Sequence, residues 1–323
     1  MEEGSDYRRW DELIPDALGL IFKNLSLYEI LTVVPRVCKS WGKAVGGPYC
    51  WQEIDIEDWS KERGCPDHID RMLRMLITRS AGSLRKLSVS GTGQYDDGIF
   101  SFIADHAGSV HTLRLPRSEI TDPIVESIAG RLSTLSFLDL SYCDRIGAHA
   151  LEAIGKNCKM LLGLCRNMHP VNTAGKSSLD DEAHAIALSM SRLRRLEMSY
   201  HLVSTQSVLE IIYSCPELEF LDLRGCHHVE LDEKFLKERY PKLKVLGPDV
   251  VDEYERNEWE EYSDFSDFSE YLAWEFVAGE VGDYYDNESL DEMWDDEVRL
   301  EDLELRFYEG IEDAGLHGWA PSP

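Results

Sequence analysis

Between residues 84 and 223 the chain repeats a hexad with leucine, or a close substitute, at its first, fourth and sixth positions. The copies are Leu84/Leu87/Val89, Val110/Leu113/Leu115, Leu135/Leu138/Leu140, Leu193/Leu196/Met198 and Leu218/Leu221/Leu223. A degenerate copy starts at Leu161 and Leu164 and breaks at Arg166, and a remnant starts at Leu243. Successive starts are 26, 25, 26, 32, 25 and 25 residues apart, the signature of an internal repeat. Behind the hexads apolar residues recur three and four apart, as in Ile99/Phe102/Ile103, Val125/Ile128/Leu132, Leu151/Ile154, Ile186/Met190, Leu209/Ile212 and Phe235/Leu236. Each unit therefore predicts a short strand, a turn and a helix. Such a unit cannot bury its own apolar face, and stacking on its neighbours does so.

Side chains alternate across a strand, so the first, fourth and sixth positions point inward and the third and fifth point out along a concave sheet. The outward rows are Lys86, Thr112, Phe137, Gly163, Arg195 and Phe220, then Ser88, Arg114, Asp139, Cys165, Glu197 and Asp222. Phe137 and Phe220 among cations on a mixed-charge face suit the binding of another protein. The unit from Leu161 is longer than its neighbours and carries Arg166-Asn167-Met168-His169-Pro170 and then Gly175-Lys176-Ser177-Ser178. Insertions in stacked repeats map to loops on one face, often the working one, which makes Arg166 and His169 further candidates.

Upstream, residues 10–51 read as three short helices. Pro15 suits a first helical turn, with Asp16 where the helix dipole favours an acid. Leu18, Ile21, Phe22 and Leu25 form one stripe. Pro35 is expected to end or kink a second helix near Val33, and Gly46-Gly47-Pro48 to close a third that holds Val37, Cys38 and Trp41. About 40 residues make a marginal core on their own, so a partner is expected.

Composition narrows the classes. The formal charge of −28 on 323 residues opposes phosphate binding, so neither nucleic acid nor an anionic membrane is expected as a partner. No apolar run approaches the roughly 18 residues that span a bilayer, and the acidic start is unlike a leader. The chain reads as soluble and intracellular, in nucleus and/or cytoplasm. Cysteines 38, 50, 65, 143, 158, 165, 215 and 226 form no C-x-x-C pair and read as reduced thiols. The charge is concentrated beyond Gly247-Pro248: residues 249–323 hold 26 acids against Arg256, Arg299 and Arg306, interleaved with aromatics such as Tyr254, Trp259, Phe265 and Trp274. That composition predicts a disordered tail with sticky points, suited to a basic partner or simply to solubility. No lysine follows Lys244.

No nucleotide or hydrolase motif is present: Pro170 stands five before Gly175, which rules out a P-loop, and neither H-E-x-x-H nor G-x-S-x-G occurs. Cys226-His227-His228 lacks a second ligand pair. Catalytic residues, cofactors and metals are accordingly expected to be none.

The segment Trp10-Asp11-Glu12-Leu13-Ile14-Pro15-Asp16-Ala17-Leu18, with Ile21-Phe22, Leu25, Ile30-Leu31, Val34, Val37-Cys38-Lys39 and Trp41, resembles an F-box. The hexads resemble the cysteine-containing leucine-rich repeats of F-box proteins, with Cys158 and Cys215 three residues before Leu161 and Leu218, and Cys143 and Cys226 three after Leu140 and Leu223. The order of parts looks like that of the plant F-box/leucine-rich-repeat proteins. The resemblance implies an α/β leucine-rich-repeat solenoid after a small all-α F-box. The divisions are an arm (1–9), the F-box (10–51), a helical linker (52–83), about six repeats with a remnant (84–248) and the acidic tail (249–323). It further implies a substrate-recognition subunit of a cullin-RING ubiquitin ligase, itself without catalytic activity. Leu13, Ile14, Pro15, Leu18, Ile21, Leu25, Leu31, Val34, Val37 and Trp41 would form the face for a Skp-type adaptor, and through it a cullin, together with the core behind that face. A protein substrate of unknown identity would meet Lys86, Arg114, Phe137, Arg166, His169, Arg195 and Phe220. The arc is too short for the enclosed small-molecule pocket of the plant hormone receptors. A second reading stays open: a ligase-independent repeat scaffold, in which the amino-terminal helices merely cap the array. A cap would bury the stripe of Pro15, Leu18 and Ile21 against the first repeat; a docking element would leave it available.

Overall fold

The computed structural model describes residues 10–57, 59, 66–89, 96–169 and 179–249. The tail, the arm and the polar stretch 170–178 lie outside them, so the expectations placed there are not addressed by the structure.

Eight three-residue strands form one parallel sheet in chain order: β1 (Glu53–Asp55), β2 (Lys86–Ser88), β3 (Thr112–Arg114), β4 (Phe137–Asp139), β5 (Gly163–Cys165), β6 (Arg195–Glu197), β7 (Phe220–Asp222) and β8 (Lys244–Leu246). Helices connect them: α4 (Pro66–Arg79), α5 (Asp97–His106), α6 (Asp122–Ile128), α7 (Ala148–Asn157), α8 (Asp180–Ser189), α9 (Thr205–Ser214) and α10 (Glu233–Arg239). Ahead of them stand α1 (Pro15–Phe22), α2 (Val34–Val37) and α3 (Lys39–Gly46). The hexad leucines set the register, Leu87, Leu113, Leu138, Leu164, Leu196 and Leu221 standing side by side in neighbouring strands, all buried. A one-residue slip would turn this row to the opposite face, so the apolar pattern alone enforces the alignment.

The backbone locks the same register. The carbonyl at the second hexad position accepts from two N–H groups of the next unit: Arg85 from His111 and Thr112, His111 from Ser136 and Phe137, Ser136 from Leu162 and Gly163, Leu162 from Arg194 and Arg195. On the helical side an acid in the first turn of one helix accepts from the N–H just ahead of the next. Asp97 takes that of Thr121, Asp122 that of Gly147 and Asp180 that of Ser204, at 2.7–2.8 Å. The cysteine wedges are buried as expected. Sγ of Cys158 donates to Leu132 O, Cys215 to Met190 O and Cys226 to Met198 O, each a carbonyl one repeat back.

Three expectations are corrected. The stretch 52–83 is more than a helical linker, since β1 pairs with β2 in parallel and α4 lies between them in the chain, so the sheet begins one unit before the first hexad. The fifth hexad position is not an outward row: Ser88, Asp139, Cys165, Glu197 and Asp222 are buried, and only Arg114 of that row is half-exposed. The strands last three residues and the chain then turns back, so the carboxylates fold into the turn. Asp139 Oδ1 accepts from Ser141 N at 2.9 Å and Asp222 Oδ1 from Arg224 N at 3.0 Å.

The third concerns Arg166, which is not a surface residue. It occupies the sixth, inward position of its hexad and is 1 % exposed. Its Nε donates to Glu182 of α8 at 3.0 Å, and its two terminal nitrogens donate to the carbonyls of Leu140, Cys143 and Ile146 at 2.7–3.3 Å. Despite the altered hexad, β5 keeps register on both sides.

These buried charges set two expectations for stability. Breaking a buried ion pair by removing one partner costs roughly 3–5 kcal/mol; Arg166→Leu is expected to lose that much in urea unfolding, and Glu182→Leu added to it to recover part. A single variant that loses under about 1 kcal/mol would show that the site relaxes. Burial pushes the Asp139 carboxyl up to about 6, against the pull of the Ser141 N–H. A raised carboxyl pKa gives stability at low pH that is lost as pH rises through the folded value. Asp139→Asn should therefore gain on the wild type by about 1 kcal/mol between pH 5 and pH 8, read from unfolding midpoints.

Candidate functional site

The amino-terminal helices are built around Leu18, Phe22, Ile30, Leu31, Val34, Ala44 and Val45, all buried. Phe22 and Trp41 pack with ring centroids 5.0 Å apart, and Trp51 Nε1 donates to Val45 O at 2.7 Å. Ser26 opens the second helical stretch as a reciprocal cap: its own N–H and Oγ donate to Glu29 Oε2, and Glu29 N donates back to Ser26 Oγ. Pro35 then dictates the form of that stretch. Its missing N–H and its ring would leave the Leu31 carbonyl crowded in an α-helix, and the backbone passes instead through a π-helical turn over Glu29–Val33, with Val34 N–H reaching Glu29 O.

This core leaves seven large apolar side chains outside. Trp10, Ile14 (65 % exposed), Leu20, Ile21 (41 %), Leu25, Val33 and Val37 (55 %) are all exposed, whereas from residue 38 onward the described residues expose Met160, Leu188, Tyr213 and Phe235. Contact with the repeats is made by the 3-10 turn Pro48–Trp51, where Ser83 Oγ donates to Pro48 O at 3.2 Å and the Arg79 guanidinium lies over the Trp51 ring, and by Lys23 after α1, 3.9 Å from Glu53 of β1. The expected adaptor residues thus divide in three. Ile14, Ile21, Leu25 and Val37 are exposed, Leu13, Pro15 and Trp41 are half-buried, and Leu18, Leu31 and Val34 belong to the core. Trp10, Leu20 and Val33 were missed; the exposure of Val33 stems from the π-turn, which no apolar period announces.

Across the sheet, the third-position row is half-exposed from Lys86 to Lys244, apart from the buried Gly163. Its rings carry cations from the same row and from the fifth-position row beside it. Arg114 lies over Phe137 at 5.1 Å, Arg195 over Phe220 at 4.3 Å, and Lys244 Nζ stands 6.0 Å from the other neighbour ring, again Phe220. Gly163 is required here, because a Cβ would fall 2.5 Å from Phe137 Cδ2. A second row sits at the turns after the strands, where Arg117, Tyr142, Tyr200 and Gly225 recur with positive φ. Arg117 lies over Tyr142 at 5.5 Å, and Tyr142 packs on His169 at 4.4 Å. Of the expected substrate residues, Lys86, Arg114, Phe137, His169, Arg195 and Phe220 therefore lie on this face or at its turn edge, and Arg166 does not. Arg117, Tyr142, Tyr200, Arg224 and Lys244 were missed, although the seven-residue offset of the first three from a hexad start is visible in the chain.

Among the described residues no group of three or more His, Cys, Asp or Glu side chains could hold a metal ion. Burial pushes the thiols of Cys50, Cys215 and Cys226 up to about 12 and that of Cys158 to about 11. No helix among the described residues is long and apolar enough to cross a membrane.

No protein-family model matches the chain. Known proteins do. F-box protein FBW2 of Arabidopsis thaliana is 58% identical over 327 residues, covering 100% of both chains. F-box protein SKIP1 of the same plant is 32% identical over 77% of this chain and 89% of its own. Putative F-box/LRR-repeat protein 23, also from Arabidopsis thaliana, is 31% identical over 74% of this chain and 53% of its own. The exposed apolar helices at the amino terminus, the stacked strand–helix units behind them and these relatives agree: the chain belongs to the plant F-box proteins of the leucine-rich-repeat kind.

Proposed function

We propose that this protein is the substrate-recognition subunit of a Skp-cullin-F-box ubiquitin ligase, binding a Skp-type adaptor through residues 10–51 and a target protein through the strand face. The observation that supports it best is the concentration of exposed large apolar side chains in residues 10–37. Exposed apolar side chains gathered in one short segment suit a protein interface, and a segment serving only as a cap would have turned these groups onto the first repeat. Here Ile14, Ile21 and Val37 stay out while Pro48–Trp51 and Lys23 make the join. Ubiquitination of the target would then proceed by proximity, the receptor holding it beside a charged enzyme at high effective concentration. The chain itself performs no chemistry in this scheme.

The partition between face and core makes the reading testable with two substitutions. Ile21→Asp is expected to weaken adaptor binding by about 2 kcal/mol or more, some thirtyfold, with no change in unfolding temperature. Leu18→Ala is expected to lower stability by about 2–5 kcal/mol and to affect adaptor binding only through the fraction unfolded. Calorimetric titration of a purified Skp-type adaptor into the full-length chain and both variants decides the matter; a folded wild type that binds no adaptor would return the protein to the ligase-independent scaffold.

A further inference from the structure

The charges on strands β2 to β8 are sorted by depth. Every acid on them, Asp139, Glu197 and Asp222, is buried, while every cation, Lys86, Arg114, Arg195 and Lys244, is half-exposed. A buried carboxylate fixes Arg195 from beneath: its Nε donates to Glu197 Oε1 at 2.7 Å, its plane held 4.3 Å from the Phe220 centroid. At the turn edge Arg224 is held likewise by Asp222, at 2.7 Å, and Arg117 by the Tyr142 ring. Only β1, at the amino-terminal edge, adds exposed acids, Glu53 and Asp55. A chain with a formal charge of −28 thus presents an aromatic-lined sheet face whose exposed charges from β2 to β8 are cations, its arginines already held in place. Arginine planes fixed on aromatic rings lose little rotamer freedom when they bind a carboxylate.

We propose that this face receives an extended acidic segment of the target, laid across the strands from β3 to β8. The proposal rests on the strand face being the target-binding surface. Adjacent strands are about 4.8 Å apart, so across the sheet Arg114 on β3 and Arg195 on β6 lie about 14 Å apart, and Arg195 and Lys244 on β8 about 10 Å. An extended peptide rises about 3.4 Å per residue, which places matching carboxylates near i, i+4 and i+7. Phe137 and Phe220, between these cations, offer apolar contact to the intervening side chains. The exposed acids of β1 orient the segment with its acidic portion away from the amino-terminal edge. A nucleic acid would satisfy the cations but would set its dense charge against the rest of a negative protein.

The test is fluorescence anisotropy with the full-length chain and labelled twelve-residue peptides. One peptide carries Glu at i, i+4 and i+7 on a neutral aliphatic background, one carries the same three Glu consecutively, and one carries Lys in their place. Binding of the spaced acidic peptide at least tenfold tighter than either control is expected. Arg195→Glu and, independently, Lys244→Glu should weaken it, Arg195→Glu at least tenfold, while adaptor binding is unchanged; the two sites guard against a variant that fails to fold. Four results overturn the proposal: no peptide binding by a chain that still binds adaptor, peptide binding that ignores charge, tighter competition by a single-stranded oligonucleotide, or binding confined to a peptide copying residues 263–274 of this chain, which would make its own acidic tail the occupant. Loss of adaptor binding by the wild type would instead strike the ligase reading, and leaves the peptide result to be read on its own.

Discussion

A three-residue strand cannot satisfy its own backbone or cover its own leucine, so every unit of this protein is completed by the one beside it. The paired N–H groups that converge on a single carbonyl one unit back, from Arg85 through Arg194, express that dependence in the main chain. The buried leucine row expresses it in the side chains. All that the sheet face can do derives from this regularity, because a fixed strand spacing turns positions far apart in sequence into a row of side chains at constant intervals.

The regularity is also why so much of the fold is legible in the chain itself. An apolar period of about 25 residues has few physical explanations, and the inward positions of Leu87, Leu113 and Leu138 result from strand alternation alone. What escaped were the features in which short-range geometry overrides alternation. Asp139 and Asp222 were assigned outward, yet the chain turns immediately after them and its N–H groups capture the carboxylates. Val33 joined the exposed set through a π-turn caused by a proline two residues later. The β1 unit carries no leucine, yet Trp51, Ile54 and Ile56 fill the first, fourth and sixth positions, buried, and β1 pairs with β2.

Arg166 shows how chemistry can hide in a broken pattern. It stands where the repeat calls for an aliphatic residue, and its charge suggested the surface. The position was nevertheless inward, and the structure keeps it there by supplying Glu182 from the next helix and three carbonyls from the preceding turn. A buried ion pair adds little stability over a hydrophobic filling, but it tolerates no substitute on one side alone. The longest unit of the array is thereby tied to the unit before it, and the sheet passes through without a change of register.

The cysteines carry a consequence of a different kind. Those in the repeats are buried and hold their protons tightly, which leaves them slow toward electrophiles. Among the described cysteines Cys38 alone reaches solvent, one residue beyond the exposed Val37. With Cys65 replaced, a single maleimide dye at Cys38 would sit beside the exposed apolar side chains of the amino-terminal helices and report on whatever covers them, at a distance from the sheet face.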